Sequence, residues 1–232
     1  MKNIVIIGAS SGIGLELASQ LAQAGHRVIG TYHQTTDRRP AGQVTMFPLD
    51  VLQESLDLGF APEQVDALAY CPGSISLKPF ARISPEAFMA DYQLQVIGAI
   101  KVIQALLPNL KKSEQASIVL FSTVAVQTGF NFHTQVAASK GAIEGLARSL
   151  AAELAPKVRV NCIAPSLTDT PLAAGLLSTE EKREANAQRH PLKKIGRAQD
   201  IAHMAGFLLG DESAWMTGQV IHVDGGMSAL RV

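Results

Sequence analysis

Net charge is the first thing this chain of 232 residues lacks: Lys+Arg and Asp+Glu stand at 20 each. With no excess of either sign, nothing draws it to nucleic acid or to an anionic membrane. Cysteine is scarce as well. Cys71 and Cys162 are the only two, they lie far apart, and they make no metal-type spacing. Two such thiols exclude a disulfide framework and point to free cysteines in a reducing cytosol. Long hydrophobic runs are missing. Ile4-Val5-Ile6-Ile7 follows Met1-Lys2-Asn3, is too short for a signal h-region, and ends in a glycine turn. No stretch approaches the length of a membrane span. There is no Gly/Ser linker, no charge block and no internal repeat. The expectation is a cytoplasmic protein of one domain over 1–232, with no nucleic-acid and no membrane partner.

What is present is apolar: 47% of residues are hydrophobic, enough for a large core. Short apolar runs alternate with helical patterns. They predict strands at 3–8, 27–32, 43–48, 65–70, 116–122, 157–162 and 219–223, many of them near-continuous in Val, Ile, Leu and Ala, as strands covered on both faces are. Helices are expected near 12–24, 85–111, 134–154 and 198–210. This alternation argues an α/β fold, a parallel doubly wound sheet with helices on both faces.

Two helices show how they pack. Ser84-Pro85-Glu86 supplies a cap, a first-turn proline and an acid at the positive end of the dipole. Behind it Met89, Val96, Ile103 and Leu110 recur every seven residues as an apolar stripe. In the helix at 134–154, Ile143, Leu146, Leu150 and Leu154 face the core. Ala138, Ala142, Gly145, Ser149 and Ala152 form a second stripe of small residues. That stripe allows either close packing on the helix's own sheet or a subunit interface, and the interface is favoured.

After the first strand comes Gly8-Ala9-Ser10-Ser11-Gly12-Ile13-Gly14, then a helix. Glycines let the backbone turn sharply and approach a pyrophosphate. The helix N-terminus offers free N–H groups and partial positive charge. This order makes Gly8, Ser10, Ser11, Gly12, Ile13 and Gly14 candidate cofactor contacts. The second strand ends in Thr31-Tyr32-His33 without the acid that would take the adenosine ribose of NAD. Arg38 and Arg39 follow, with Asp37 beside them. His33 and Arg38 are therefore expected at the 2′-phosphate of NADP(H), which is preferred over NAD(H). Asp50, before Val51, is placed either at the adenine amino group or as the cap of a short helix.

Further motifs complete the series: Arg159-Val160-Asn161, Ala164-Pro165, Asp169-Thr170-Pro171, Gly196-Arg197-x-x-Asp200-Ile201-Ala202 and Val223-Asp224-Gly225-Gly226. With the glycine loop and Ser139-Lys140-Gly141-Ala142, the chain resembles a classical short-chain dehydrogenase/reductase along essentially its whole length. The resemblance implies a seven-stranded Rossmann-type domain, a nicotinamide cofactor across the C-terminal strand edge, and a homodimer or homotetramer, here through helices 85–111 and 134–154. It adds Gly73, Pro165 and Thr168 to the cofactor contacts, and it makes 166–195 a substrate lid. The region 51–64 is shorter than the family's. Leu172, Leu176, Leu177 and Met227 read equally as a substrate pocket or as plain packing.

In that family a tyrosine phenol exchanges the proton, and a lysine four residues on lowers its pKa and holds the nicotinamide ribose. A serine polarises the carbonyl and an asparagine seats a relay water. Carried over by position, the lysine is Lys140, the serine is Thr123 with Ser122 beside it, and the asparagine is Gln95. The tyrosine falls on Val136, which has no proton to give. The usual Asn-Asn-Ala-Gly is Tyr70-Cys71-Pro72-Gly73, and the usual Pro-Gly is Pro165-Ser166. Departures gather where substrate and nicotinamide would meet. His133 is the first candidate for a substitute acid, one helical face from Lys140; Tyr92, Tyr70 and Cys71 are weaker ones. The chain thus reads as an NADP(H)-dependent oxidoreductase reducing a small carbonyl or enone by an atypical site. The alternative is a catalytically silent cofactor sensor or oligomeric partner.

Overall fold

A computed structural model describes residues 1–35 and 38–231. Its elements are β1 (Asn3–Ile7), α1 (Gly12–Gln23), β2 (Arg27–Tyr32), β3 (Val44–Pro48), β4 (Ala67–Tyr70), α2 (Pro85–Tyr92), α3 (Gly98–Leu110) and β5 (Ala116–Phe121). Then come α4 (Ala125–Thr128), α5 (Thr134–Leu154), β6 (Val158–Pro165), β7 (Thr168–Asp169), α6 (Glu180–Gln188), β8 (Gly196–Arg197), α7 (Ala198–Leu209) and β9 (Val220–Val223). The seven-stranded sheet has the order β3-β2-β1-β4-β5-β6-β9, parallel at every pairing. The order reverses between β1 and β4, which opens a crevice at their carboxyl ends.

Successive strand residues point to opposite faces, and each face has its own core. Val5 and Ile7 join Leu68, Ile118 and Leu120 beneath α3 and α5. Ile4 and Ile6 join Ala67, Ala69 and Val119 beneath α1 and α7. Each fully buried Ile or Leu stabilises the fold by about 1.5–3 kcal/mol, an upper value because the unfolded chain is already partly compact.

The expected helix over 85–111 is helical throughout, from Pro85 to Leu110, but changes register midway. Between α2 and α3 runs a π-helical turn, Gln93–Ile97. Tyr70 causes it in part. Its hydroxyl donates to the Leu94 carbonyl at 2.6 Å, and Gly98 leaves room for the ring, since a Cβ there would collide with that oxygen. The wider turn shifts the helical register, so the seven-residue stripe fails at its start. Met89 is 59% exposed, whereas Val96, Ile103 and Leu110 are buried. No helix follows Asp50 either. The carboxylate caps a turn, accepting from the Leu52 N–H at 2.9 Å.

The Arg159-Val160-Asn161 motif is structural. The buried Arg159 guanidinium donates to Ser213 Oγ and to the Met216 and Gly210 carbonyls. Asn161 donates to the Met216 carbonyl and accepts from Gln219 N–H. The C-terminal segment is thereby tied to the sheet. The segment after β6 is pinned at both ends by a β7–β8 ladder and by Arg183 gripping Asp169 with two hydrogen bonds. Among the described residues, no helix is long and apolar enough to cross a membrane.

Tyr70→Phe should cost about 1–3 kcal/mol by leaving the Leu94 carbonyl of the π-turn unpaired. Urea denaturation followed by circular dichroism checks this, and an unchanged midpoint would contradict it.

Candidate functional site

All seven sheet strands end at one edge, and there a cleft of about 690 Å³ runs across the β1–β4 crevice. The glycine turn forms its floor. Gly8 and Gly12 have φ of +80° and +52°, a region that suits glycine. A Cβ on Gly14 would strike the Gly8 carbonyl oxygen. β2 holds the turn in place, since Gly8 N–H donates to Thr31 Oγ1 at 3.0 Å. Helix α1 starts after Ser11 with no side-chain cap and no acid in its first turn. Its first N–H groups are therefore free for an anion. Ser10, Ser11, Ile13 and Gly14 all line the cleft. These features fit the pyrophosphate of a dinucleotide.

At the β2–β3 end, His33 and Asp50 line the cleft with Val51, and His33 Nε2 lies 3.9 Å from Asp50 Oδ2. The Leu52 N–H and the Gln53 amide hold the Asp50 carboxyl below its usual range. Arg38 and Arg39 are exposed and are not among the lining residues; Asp37 lies outside the described residues. Pro165 and Thr168 line the opposite end. Thr168 hydroxyl donates to the Ser166 carbonyl at 3.0 Å. A residue not singled out by the sequence, Thr170, sits against the glycine turn: a Cβ on Gly12 would lie 3.4 Å from its side chain.

The chemical centre draws on three elements. Helix α5 presents Val136 and, one turn later, Lys140; both line the cleft. Burial pushes the Lys140 ammonium down to about 8, against the pull of neighbours that include Asp91. Thr123 follows β5 and lines the cleft, its Oγ1 accepting from Ala125 N–H at 3.3 Å. Ser122 also lines the cleft, but its hydroxyl donates to the buried Glu144 at 2.7 Å. The π-turn supplies Gln95, 0% exposed. Its amide N–H₂ donates to both oxygens of Asp91 at 2.8 Å, while its buried Oε1 has no partner. A Cβ placed on Gly73 would lie 3.4 Å from that oxygen and 3.6 Å from Lys140 Nζ. Gln95 Oε1 and Lys140 Nζ thus flank Gly73 together.

Asp91 was not singled out by the sequence, although its place four residues before Gln95 on a helix was a usable signal. It is buried and also accepts from Ser139 Oγ at 2.6 Å and from the Ser74 hydroxyl. Among the candidate substitute acids, Tyr70 is buried, spends its hydroxyl on Leu94, and has its pKa raised by burial; it does not line the cleft, nor does Tyr92. Cys71 does line it, but burial pushes its thiol up to about 12, so it stays protonated. His133 stands just before α5 at the cleft, with Nδ1 2.8 Å from the Asn131 carbonyl and its ring edge-on to Phe130. The cleft also carries Ser166 and His190, in contact at 2.8 Å.

Residues 8–228 match the family model described as enoyl-(acyl carrier protein) reductase. A tropinone reductase homolog of Arabidopsis thaliana is 31% identical, covering 97% of this chain and 92% of that protein. The 3-oxoacyl-(acyl-carrier-protein) reductase of Thermotoga maritima is 31% identical, covering 97% of each. Among solved structures, a short-chain type dehydrogenase/reductase from Mycobacterium ulcerans superposes with a TM-score of 0.87 at 27% identity, over 99% of this chain and 90% of that one. A 3-ketoacyl-(acyl-carrier-protein) reductase from Brucella melitensis, complexed with NADH, gives 0.87 at 25%, over 98% of each. The fold and site define a nicotinamide-nucleotide oxidoreductase. The chain belongs to the short-chain dehydrogenase/reductase family.

Two outcomes are expected from this geometry. Gly14→Ala should abolish cofactor binding, measured by NADPH fluorescence, because the added methyl displaces the Gly8 carbonyl. In the free protein, Lys140 should be the first lysine acylated at pH 8, since its amine is partly neutral there while ordinary lysines stay charged. Peptide mass mapping reads this out, and NADPH should protect the residue.

Proposed function

We propose that this chain is an NADP(H)-dependent reductase of a small carbonyl or enone, working without a phenol beside its lysine, over one domain whose lid is 166–195. The observation that carries this reading is that Val136 and Lys140 share the cleft with Thr123, Gln95 and the glycine turn. When bound, the nicotinamide supplies the hydride. Lys140 holds the ribose hydroxyls, Thr123 donates to the substrate oxygen, and Gln95 Oε1 accepts from water or ammonium beside Gly73. A positioned acid contributes about 10²–10⁴ in rate, so its loss still leaves orientation and polarisation to act. Carbonyl chemistry is favoured because the relatives above are named as reductases, two of them of oxoacyl groups. Leu172, Leu176 and Met227 line the cleft and suit an apolar substrate.

NADP(H) is preferred because β2 ends without an acid and His33 stands at the cleft instead. Homodimer or homotetramer formation through 85–111 and 134–154 is favoured by the small-residue stripe. Ala138, Gly145, Ser149 and Ala152 are exposed rather than packed on their own sheet, and Met89 is exposed on α2, which contacts α5.

Fluorescence titration should show NADPH binding about tenfold tighter than NADH, a difference of about 1.4 kcal/mol. NADPH oxidation is then followed with 9,10-phenanthrenequinone and a panel of ketones and enones. Turnover supports the reductase, whereas tight binding with no turnover favours the silent sensor. Val136→Tyr is expected to leave the rate flat or lower it, because the site is rebuilt rather than damaged; a clear rise in kcat would contradict that.

A further inference from the structure

Ser166 directly follows β6, on the strand edge beside Thr123 and Val124. The Val124 N–H donates to the Pro165 carbonyl at 3.1 Å, and the Ser166 N–H donates to the Val223 carbonyl at 3.4 Å. The residue is thus held between the ends of β5 and β9, at the chemical end of the cleft. Its hydroxyl lies 2.8 Å from His190 Nε2. His190 is 2% exposed and follows α6 of the lid segment, with Nδ1 2.9 Å from the Asn186 carbonyl. A carbonyl oxygen only accepts, so the hydrogen-bond partner assigns the hydrogen to Nδ1. That leaves Nε2 as the nitrogen whose proton comes and goes. The arrangement is hydroxyl, imidazole and orienting group, each within hydrogen-bond reach of the next.

The pair opens on both sides. Ser166 and His190 line the main cleft together with Thr123, Val136 and Lys140. Behind them lies a second cavity of about 130 Å³, also lined by Lys194, Asp200 and Asp224. A hydrogen bond meant only to secure the lid needs no access from the reaction cleft.

We propose that Ser166 and His190 form the proton relay of this enzyme, in place of the phenol that α5 lacks. The assignment rests on the reductase reading above and names the donor for that same site. In reduction, for which a bound nicotinamide would supply the hydride to the carbonyl carbon, the carbonyl oxygen takes the Ser166 hydroxyl proton. Ser166 Oγ takes the Nε2 proton of the His190 imidazolium, which ends neutral and regains a proton from water. In alcohol oxidation each transfer runs backwards, and neutral His190 receives the proton. The charged groups nearest His190 are Arg189 and Lys193 on its own segment and Lys194, Asp200 and Asp224 around the rear cavity, and Lys140 lines the same main cleft.

The test uses the full-length protein and NADPH with 9,10-phenanthrenequinone as the carbonyl, alongside the panel member that turns over fastest. Ser166→Ala and His190→Gln should each slow turnover by about 10² or more, within the range of a general acid. NADPH affinity should stay within about twofold of wild type. The double variant should be no slower than the slower single variant, because the two act as one unit. Ser166→Ala stands by itself if the buried His190 variant fails to fold. A Ser166→Ala variant within about threefold of an active wild type overturns the relay alone, as does the loss appearing in His133→Ala instead. A wild type that reduces no member of the panel overturns the reductase reading first, and the relay with it.

Discussion

Parallel pairing is the constraint on which the rest of this molecule depends. A parallel sheet has no hairpins, so each strand must return through a crossover before the next begins. Every carboxyl end then lies on one edge. Gly8 after β1, Asp50 after β3, Gly73 after β4, Thr123 after β5 and Ser166 after β6 are brought into line by this rule alone. The same rule requires apolar cover on both faces, which α3 and α5 supply on one side and α1 and α7 on the other. Reversal of strand order at β1 and β4 keeps two crossovers apart, and the cleft opens in the gap.

Within that frame the polar groups at the centre are held mainly by one buried carboxylate. Asp91 accepts from Ser74 after β4, from Gln95 in the π-turn and from Ser139 on α5. Three elements that share no backbone pairing are thereby joined in a low-dielectric interior, where each such bond counts for more than in water. The amide of Gln95 is thereby oriented, leaving its oxygen free beside Gly73. The π-turn in turn receives the Tyr70 hydroxyl at its Leu94 carbonyl. The phenol of Tyr70 is thus buried and bonded to the backbone.

Much of the fold was legible because it follows from local rules. Apolar runs located the seven sheet strands to within a few residues, and the Ser84-Pro85-Glu86 signal marked the start of α2, where Ser84 caps the Ala87 N–H. The glycine turn was legible because conformation there is dictated by missing side chains. What failed had non-local causes. A heptad count continued through 93–97, where packing against Tyr70 inserts a wider turn, and it placed Met89 inside when it is outside. Asp50 invited a helix that 51–64 does not form. Ser166 was visible as a departure from Pro-Gly, but its partner His190 lies 24 residues on, at no spacing that a helix or strand would bring together.

The sequence by itself determined the α/β order, the glycine turn, Lys140 and the valine one turn before it, because these rest on residue chemistry and on periods of two and 3.6. Only the tertiary structure decided which polar groups meet: Asp91 with Gln95, Ser74 and Ser139, and Ser166 with His190. Those contacts join segments far apart in the chain. Their geometry is set by how the strand ends align and how the segment after β6 folds back over them, which no local pattern encodes.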